Sequence, residues 1–580
     1  MNNGQSLKKQ KNHASWRVFL KFYTKIKLPW HLYILTFLLT LAMTKLSLLL
    51  VPYTSRIYQG DIATSAFLSG FILWTLAHAG TQLIHTIVSG YSRIISVRNA
   101  RSAVWFKILM LPSSVYDREQ PHRLISRVTT DTENAVSAPM SVAGFISAIY
   151  GITVAYLEMN KIYPDLAKLI LIVVPVALII IVAIGKLQYR IQYLITNALA
   201  QMTSFFSERL TNIQYIKTAN VENDEYRRGL EASGIKYKAD VTAALLRMLQ
   251  MPIGYVVKYA IMIIVFAGGA FYVRKGDMQT SGLVEFYSYS LILMPRFFEI
   301  VTQWQNIKIS HGGTHKIAAL MDMEEELAQG NLSLGNERAG DVRFENVSFQ
   351  YAEDKEALKG VNFTIPSGKV TALIGENGSG KSTVLKLLER LYTPDDGVIR
   401  AGEHSINDIK LDEWREKIGY VSQQCQVIPG TIAENIAYGL KGSYTKEELI
   451  QASKLANAYD FIMKLSDGLD TLVNSDVKLS GGELQRLAIA RAIMKDPEYL
   501  LLDEATSNLD WISRWEVMKG LDNMIQGRTL IMITHDMEMA RKADHIVVLK
   551  NGRVENQGNY NEVLASSETF ATFIRLQEAK

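Results

Sequence analysis

Gly375-Glu376-Asn377-Gly378-Ser379-Gly380-Lys381-Ser382-Thr383 lies between a short apolar run, Val370–Ile374, and a helix-patterned stretch, Val384–Leu391. Between a strand and a helix, a G-x-x-x-x-G-K-S string folds as a phosphate loop. Its glycines let the backbone curl so that successive N–H groups point inward. The helix that follows adds the positive end of its dipole, and together they cradle a triphosphate. Lys381 supplies a point charge for the outer phosphates, and Ser382 a hydroxyl for Mg2+.

Further along, Tyr499-Leu500-Leu501-Leu502-Asp503-Glu504 reads as a buried strand that delivers two carboxylates at its C-terminal end, where α/β sheets bind ligands. Asp503 suits a Mg2+ shell, and Glu504 can orient or deprotonate an attacking water. Gln423 closes another strand and offers a neutral donor and acceptor for Mg2+ or water. His535 follows the apolar Leu530–Thr534 and is placed to contact a γ-phosphate. Tyr351 offers a ring for adenine, with plain packing as the alternative. Leu479-Ser480-Gly481-Gly482-Glu483 then opens the helix Leu484–Met494 and forms a second anion-binding device. In one site the two devices are redundant. In a two-fold dimer each faces the partner's other element, and nucleotide joins the two copies.

The elements that must position these residues form an α/β rhythm. Strand-like runs at Val342–Phe349, Val370–Ile374, Lys417–Val421, Tyr499–Leu502, Thr529–Ile533 and His545–Leu549 alternate with helical segments. An acidic, aperiodic linker, residues 322–340, precedes them. Six apolar runs come before it, near Leu32–Tyr53, Phe67–Val88, Met140–Leu157, Leu166–Lys186, Pro252–Val273 and Leu283–Trp304. Each approaches the ~20 residues that cross a bilayer. Basic residues concentrate before the first run, between the second and third, and between the fourth and fifth, so both termini are expected in the cytoplasm. Trp16–Lys27, basic and aromatic at helical spacing, is expected to lie in the membrane interface.

Two cytoplasmic stretches, Gly90–Ala138 and Gln188–Leu249, stay helical and become charged. A run of about 30 residues reaches about 45 Å, so the tips Tyr116–Thr132 and Asn212–Tyr226 are expected to carry short transverse helices. Ionisable residues within the spans, among them Lys45, His78, His85, Glu285, Arg296 and Glu299, face a bundle interior or a pathway. Arg296 and Glu299, three apart, are also spaced to pair with each other.

At 580 residues the chain exceeds one core. A net charge of +5, with basic residues scattered, gives nucleic-acid binding no support. The single cysteine, Cys425, excludes internal disulfides and multi-cysteine metal sites. It also leaves a fused N-terminal cysteine protease without a nucleophile.

Taken together, these residues resemble the exporter class of ATP-binding cassette (ABC) transporters, specifically a bacterial half-transporter, over nearly the whole chain. The matching pieces are Tyr351, the Walker A loop Gly375–Thr383, the Q-loop Tyr420–Gln423 and the signature Leu479–Glu483. Walker B Leu500–Glu504, the D-loop Ser507–Asp510 with Asp510 at its end, and the switch histidine His535 complete the family order. The resemblance implies a six-helix transmembrane exporter domain with long intracellular helices, joined to a C-terminal α/β P-loop nucleotide-binding domain. Expected boundaries are 1–30 for an interfacial elbow, 31–321 for the membrane domain, 322–340 for the linker and 341–580 for the ATP-binding domain. Ser480 and Gly482 are expected to meet the γ-phosphate held by the opposite chain's Lys381 and Ser382. Four features depart from the family pattern: Asp536-Met537 follow His535 in place of the common Arg-Leu, His122 stands near the first tip where many members carry Gly, and two more lie at the signature. Glu483 stands where Gln is usual, and Val473–Lys478 lacks the usual Gly-Glu-Arg-Gly.

The function expected is ATP-driven export of a drug, lipid or peptide across the cytoplasmic membrane by alternating access in a dimer. Intact Glu504, His535 and signature favour a homodimer over a heterodimer. An ATP-gated channel or regulator, and an importer on the same fold, are the alternatives.

Overall fold

Apolar helices dominate the first half of this computed structural model. It describes residues 22–58, 65–119, 121–326, 330–335, 340–351, 356–473, 479–504, 514–517, 519 and 527–578. Asp510 and the rest of the D-loop lie outside the described residues, as do residues 1–21 and 474–478. By internal contacts the chain forms two units. One is Met1–Leu109 with Pro121–Met323, and the other is Met110–Gln120 with Glu324–Lys580.

In the first unit the six expected runs fall in long helices: α1 (Trp30–Leu49, continued by Val51–Tyr58), α2 (Ser65–Leu109) and, after α3 (Ser113–Arg118) of the second unit, α4 (Ala138–Ile162) and α5 (Pro164–Thr211). A short α6 (Ile213–Ala219) precedes α7 (Glu222–Lys275) and α8 (Thr280–Met321). Among the described residues, Trp30–Tyr53, Ser65–Leu109 and Arg123–Ile162 are long and apolar enough to cross a membrane. Pro175 and Pro295 sit inside α5 and α8, which neighbouring helices make tolerable in a membrane bundle. Phe22, Tyr23 and Ile26, expected at the interface, are buried in this unit. The Tyr23 hydroxyl donates to the Ala135 carbonyl at 2.6 Å.

A polar seam runs down α1. Thr36, Thr40 and Thr44 recur every fourth residue, and each donates to the carbonyl one turn back. Thr44 also meets Ser147 of α4 at 3.1 Å, and Thr40 meets His85 of α2 at 3.1 Å. Arg296 donates to Glu299 at 2.8 Å and to Thr44 at 3.3 Å. The two ionisable groups on α8 therefore neutralise each other inside the bundle, as their spacing allows. A Cβ on Gly151 would come within 3.1 Å of Thr44 and 3.3 Å of Arg296, so the small residue admits the seam.

Among the described residues the C-terminal unit holds twelve strands: β1 (Val342–Gln350), β2 (Glu356–Ile365), β3 (Val370–Gly375), β4 (Asp396–Ala401), β5 (His404–Ser405), β6 (Ile418–Val421), β7 (Gly430–Thr431), β8 (Leu472–Val473), β9 (Tyr499–Asp503), β10 (Thr529–Ile533), β11 (His545–Lys550) and β12 (Arg553–Gly558). Six form a sheet in the order β12-β11-β3-β10-β9-β6, parallel except for the β12 edge. A second sheet, β2-β1-β4-β5, is antiparallel. Strands β3 and β10 are buried along their whole length, which is why they read as unbroken apolar runs rather than as alternation. Among the helices of this unit are α9 (Lys381–Leu388), α10 (Leu411–Glu416), α11 (Gly481–Met494), α12 (Tyr560–Ser566) and α13 (Glu568–Glu578).

Candidate active site

The strand order decides what meets. Strand β9 lies between β10 and β6, with Asp503 opposite Ile533 and Leu502 opposite Val421. The C-terminal ends of these strands therefore put Asp503 and Glu504, His535 and Gln423 on one rim of the sheet, with the β3–α9 loop beyond β10.

Between β3 and α9 the glycines are required by space as well as by torsion. A Cβ on Gly375 would fall 2.2 Å from the Leu549 carbonyl oxygen. Gly380, the N-cap of α9, has φ +107°, and a Cβ there would sit 2.9 Å from the Ala357 carbonyl. Asn377 and Gly378 form the outer arc of the turn. Lys381 is buried, and its ammonium donates to the Gly375 and Glu376 carbonyls at 2.8 Å each. Burial lowers its pKa, against the raising charges of Glu504 and Asp503. Such an ammonium gains from any anion placed in the loop.

The Ser379 hydroxyl is buried with no hydrogen-bond partner among the described residues, a donor left for a group that the loop encloses. Asp503 accepts from the Tyr420 hydroxyl at 3.3 Å and from Ser382. Burial raises its pKa, and the Glu504 charge adds to this. Two adjacent carboxylates beside a serine hydroxyl form a hard-oxygen set that suits Mg2+.

Glu504 directly follows β9 with φ +49°, a conformation that non-glycine residues seldom adopt and that functional sites often hold. Its N–H donates to the Ile533 carbonyl at 3.2 Å, which anchors the turn. Gln423 donates to one carboxylate oxygen at 2.8 Å, and His535 Nε2 lies 3.4 Å from the other. The three residues named from sequence for catalysis thus converge on one carboxylate.

Tyr351 is partly packed and partly open. Its ring meets Phe349 and Tyr392 edge-on at 4.9 and 5.3 Å, its hydroxyl lies 3.2 Å from the Thr383 hydroxyl, and 38% of it is exposed. Lys386 lies 5.1 Å from the ring centroid. Ser480 caps α11, with Gly481 exposed and Gly482 buried in its first turn. The Glu483 carboxylate turns back onto Ser480.

Sequence reasoning missed several neighbours of the site. The Tyr392 hydroxyl donates to Asp117 on α3, a partner 275 residues away. Burial and that carboxylate both raise the tyrosine pKa. The pair ties the aromatic cluster around Tyr351 to a short helix that directly follows α2 in the chain. Tyr392→Phe and Asp117→Asn are each expected to destabilise the protein by about 1 kcal/mol. The double variant should cost about as much as either single, giving a coupling of about 1 kcal/mol in an unfolding-temperature cycle. Strict additivity would mean that the two do not interact.

Glu389, just past α9, has its pKa raised to about 7. Burial is the main cause and Asp503 adds to it, while Arg415, Lys495 and Lys386 oppose it. A carboxyl that keeps its proton longer when folded loses stability as pH rises from its unfolded pKa through its folded one. Glu389→Gln should therefore match the wild type near pH 4–5 and exceed it above about pH 7, by about 2 kcal/mol. Unfolding temperatures measured across that range check it; a constant gap would mean that Glu389 does not titrate there.

Residues 358–507 match the family model for the ABC transporter domain, and residues 32–297 match the ABC transporter transmembrane region. A multidrug resistance ABC transporter ATP-binding and permease protein of Lactococcus lactis is 32% identical over 511 residues, covering 87% of this chain and 85% of its own. An ATP-dependent lipid A-core flippase of Escherichia coli is 30% identical over 497 residues, 83% of each chain. Among solved structures, a bacterial Atm1-family ABC exporter with ATP bound has the same fold, with a TM-score of 0.81 at 24% identity. That match covers 94% of this chain and 98% of the other. One transmembrane region and one ATP-binding module in a single multi-pass chain place the protein in the ABC transporter family, as an exporter-type half-transporter that couples ATP hydrolysis to transport.

Proposed function

We propose that the protein exports an amphipathic or hydrophobic compound (a drug, a lipid or a peptide) across the cytoplasmic membrane, as a homodimer that closes on ATP. The observation that carries this reading is the bracketing of Glu504 by Gln423 and His535 beside Asp503 and Ser382. A half-transporter with a full hydrolytic set does not depend on a second, different chain to supply one.

In this reading Gly375–Thr383 hold the triphosphate and Lys381 turns from its two carbonyls to the outer phosphates. Glu504 takes the proton of the attacking water while Gln423 and His535 keep its carboxylate aimed. Ser382, Asp503 and Gln423 would hold Mg2+, which supplies charge neutralisation on the phosphates. Tyr351 offers the open part of its ring to adenine. Ser480, Gly481 and Gly482 from one copy, with Asp510, complete the site of the other, and Glu483 stands at its edge. The proposed boundaries are 1–30, 31–321, 322–340 and 341–580, with both termini and the ATP-binding domain in the cytoplasm, as the basic residues indicate. The importer alternative falls with the exporter-type family placement.

Reconstitution in lipid nanodiscs, with ATP turnover measured against panels of amphipathic drugs, lipids and peptides, tests the reading. Stimulation by one class, with ATP-dependent movement of that class in vesicles, supports it. Downhill flux that opens with a non-hydrolysable ATP analogue would instead make the protein a gated channel.

A further inference from the structure

Among the described residues, four helices of the ATP-binding unit begin with the same device, in which a cap side chain and a glutamate three residues on exchange hydrogen bonds. In three of them the exchange is simple. The cap N–H donates to the glutamate at 2.8, 2.8 and 2.9 Å at Thr431, Thr445 and Asn559, and the glutamate N–H donates back to the cap side chain at 3.0, 3.2 and 3.0 Å. The fourth, at Ser480 and Glu483, differs. Both the Ser480 N–H and the Ser480 hydroxyl donate to one oxygen of Glu483, at 2.7 and 2.9 Å, and the return bond is the longest of the four at 3.3 Å. The Ser480 hydroxyl proton is thus committed to a carboxylate, whereas at Thr431 and Thr445 the cap hydroxyl only accepts. Among the described residues Glu483 has no cationic partner.

We infer that Glu483 is a built-in competitor for the nucleotide: its carboxylate holds the Ser480 hydroxyl proton that the partner's γ-phosphate needs, and must release it before the dimer closes. The inference rests on the dimer reading above and goes beyond it, because it makes closure conditional on displacing an anion that the chain itself supplies. An oxygen of Glu483 and an oxygen of a phosphate cannot share the same hydroxyl proton, and two anions at one helix start repel. Only the fraction of signatures with Ser480 released binds, so the apparent ATP affinity is lowered by that fraction. A glutamine at 483 would keep an acceptor oxygen for the Ser480 N–H, and so keep the helix start, while removing the charge.

The experiment uses the full-length protein in nanodiscs with Mg-ATP. Glu483→Gln is expected to lower the ATP concentration for half-maximal hydrolysis about fivefold. In combination with Glu504→Gln, it should lower the ATP concentration that accumulates closed dimers by the same factor. The wild-type half-maximal concentration should fall as salt rises from low ionic strength, because salt screens the repulsion, and the Glu483→Gln value should respond less. Ser480→Ala separates the two ideas. If it impairs turnover while Glu483→Gln leaves the ATP requirement unchanged or higher, the competitor is refuted and the dimer reading stands. If Ser480→Ala changes nothing, the dimer reading fails and takes the competitor with it.

Discussion

Glu504→Gln is expected to bind Mg-ATP with near wild-type affinity, to hydrolyse it about a thousandfold more slowly, and to accumulate as closed dimers. The expectation follows from the contacts of one carboxylate. Glutamine is isosteric with glutamate and still accepts from Gln423, so the rim of the sheet keeps its geometry; it can no longer take a proton from water. Gln423 and His535 bind that carboxylate at 2.8 and 3.4 Å. Their loss should therefore cost less than the loss of the base they orient. Single-turnover hydrolysis and sedimentation of the ATP-loaded variant check the prediction together. Turnover at the wild-type rate would remove Glu504 from the role of base.

Arg415→Ala should give the second-largest effect, about 3 kcal/mol of destabilisation. Arg415 grips Glu326 with both ends of its guanidinium at 2.9 and 2.7 Å, and donates to the Glu389 and Arg390 carbonyls at 3.1 and 3.0 Å. Glu326 is 18% exposed at its side chain, so truncating its partner leaves a largely desolvated carboxylate and two carbonyls without that donor. The Glu326 N–H also donates to the Met110 carbonyl at 2.9 Å. One arginine therefore fastens the end of the phosphate-loop helix to the chain segments that follow α8 and α2. Lysine should restore only part of the loss, because a point charge cannot reproduce the planar fork. Replacing Arg415 and Glu326 together by Met and Leu should be milder than Arg415→Ala alone. Unfolding temperatures of the variants decide this; a double replacement worse than the single would mean that the pair is not what stabilises the junction.

What could be read from the chain divides by range. The β3–α9 loop and the Asp503-Glu504 pair are legible because the chemistry and its positioning lie within a dozen consecutive residues. Strands β3, β9 and β10 were equally plain, since burial on both faces leaves an apolar run. Strand β12, Arg-Val-Glu-Asn-Gln-Gly, was not, because it is a sheet edge with alternate residues exposed. Strands β5, β7 and β8 are two residues each, too short for any periodicity. The convergence of Gln423, Glu504 and His535 depends on β9 lying between β6 and β10, an ordering that no local pattern encodes. The partners of Tyr392 and Arg415 are long-range for the same reason. Charge spacing announced that the long charged helical stretches have tips, but not which residue of a tip would find a tyrosine in another part of the chain.

Residues Met110–Gln120 group with Glu324–Lys580 although some two hundred residues of the other unit separate them in sequence. Modularity in this protein is therefore not linear. A chimera joined once, near residue 323, would carry a foreign eleven-residue insert into its new ATPase and lose the Asp117–Tyr392 and Glu326–Met110 contacts at the seam. A graft meant to exchange motors between relatives has to move two pieces, the small excursion and the large C-terminal block, as one transplant.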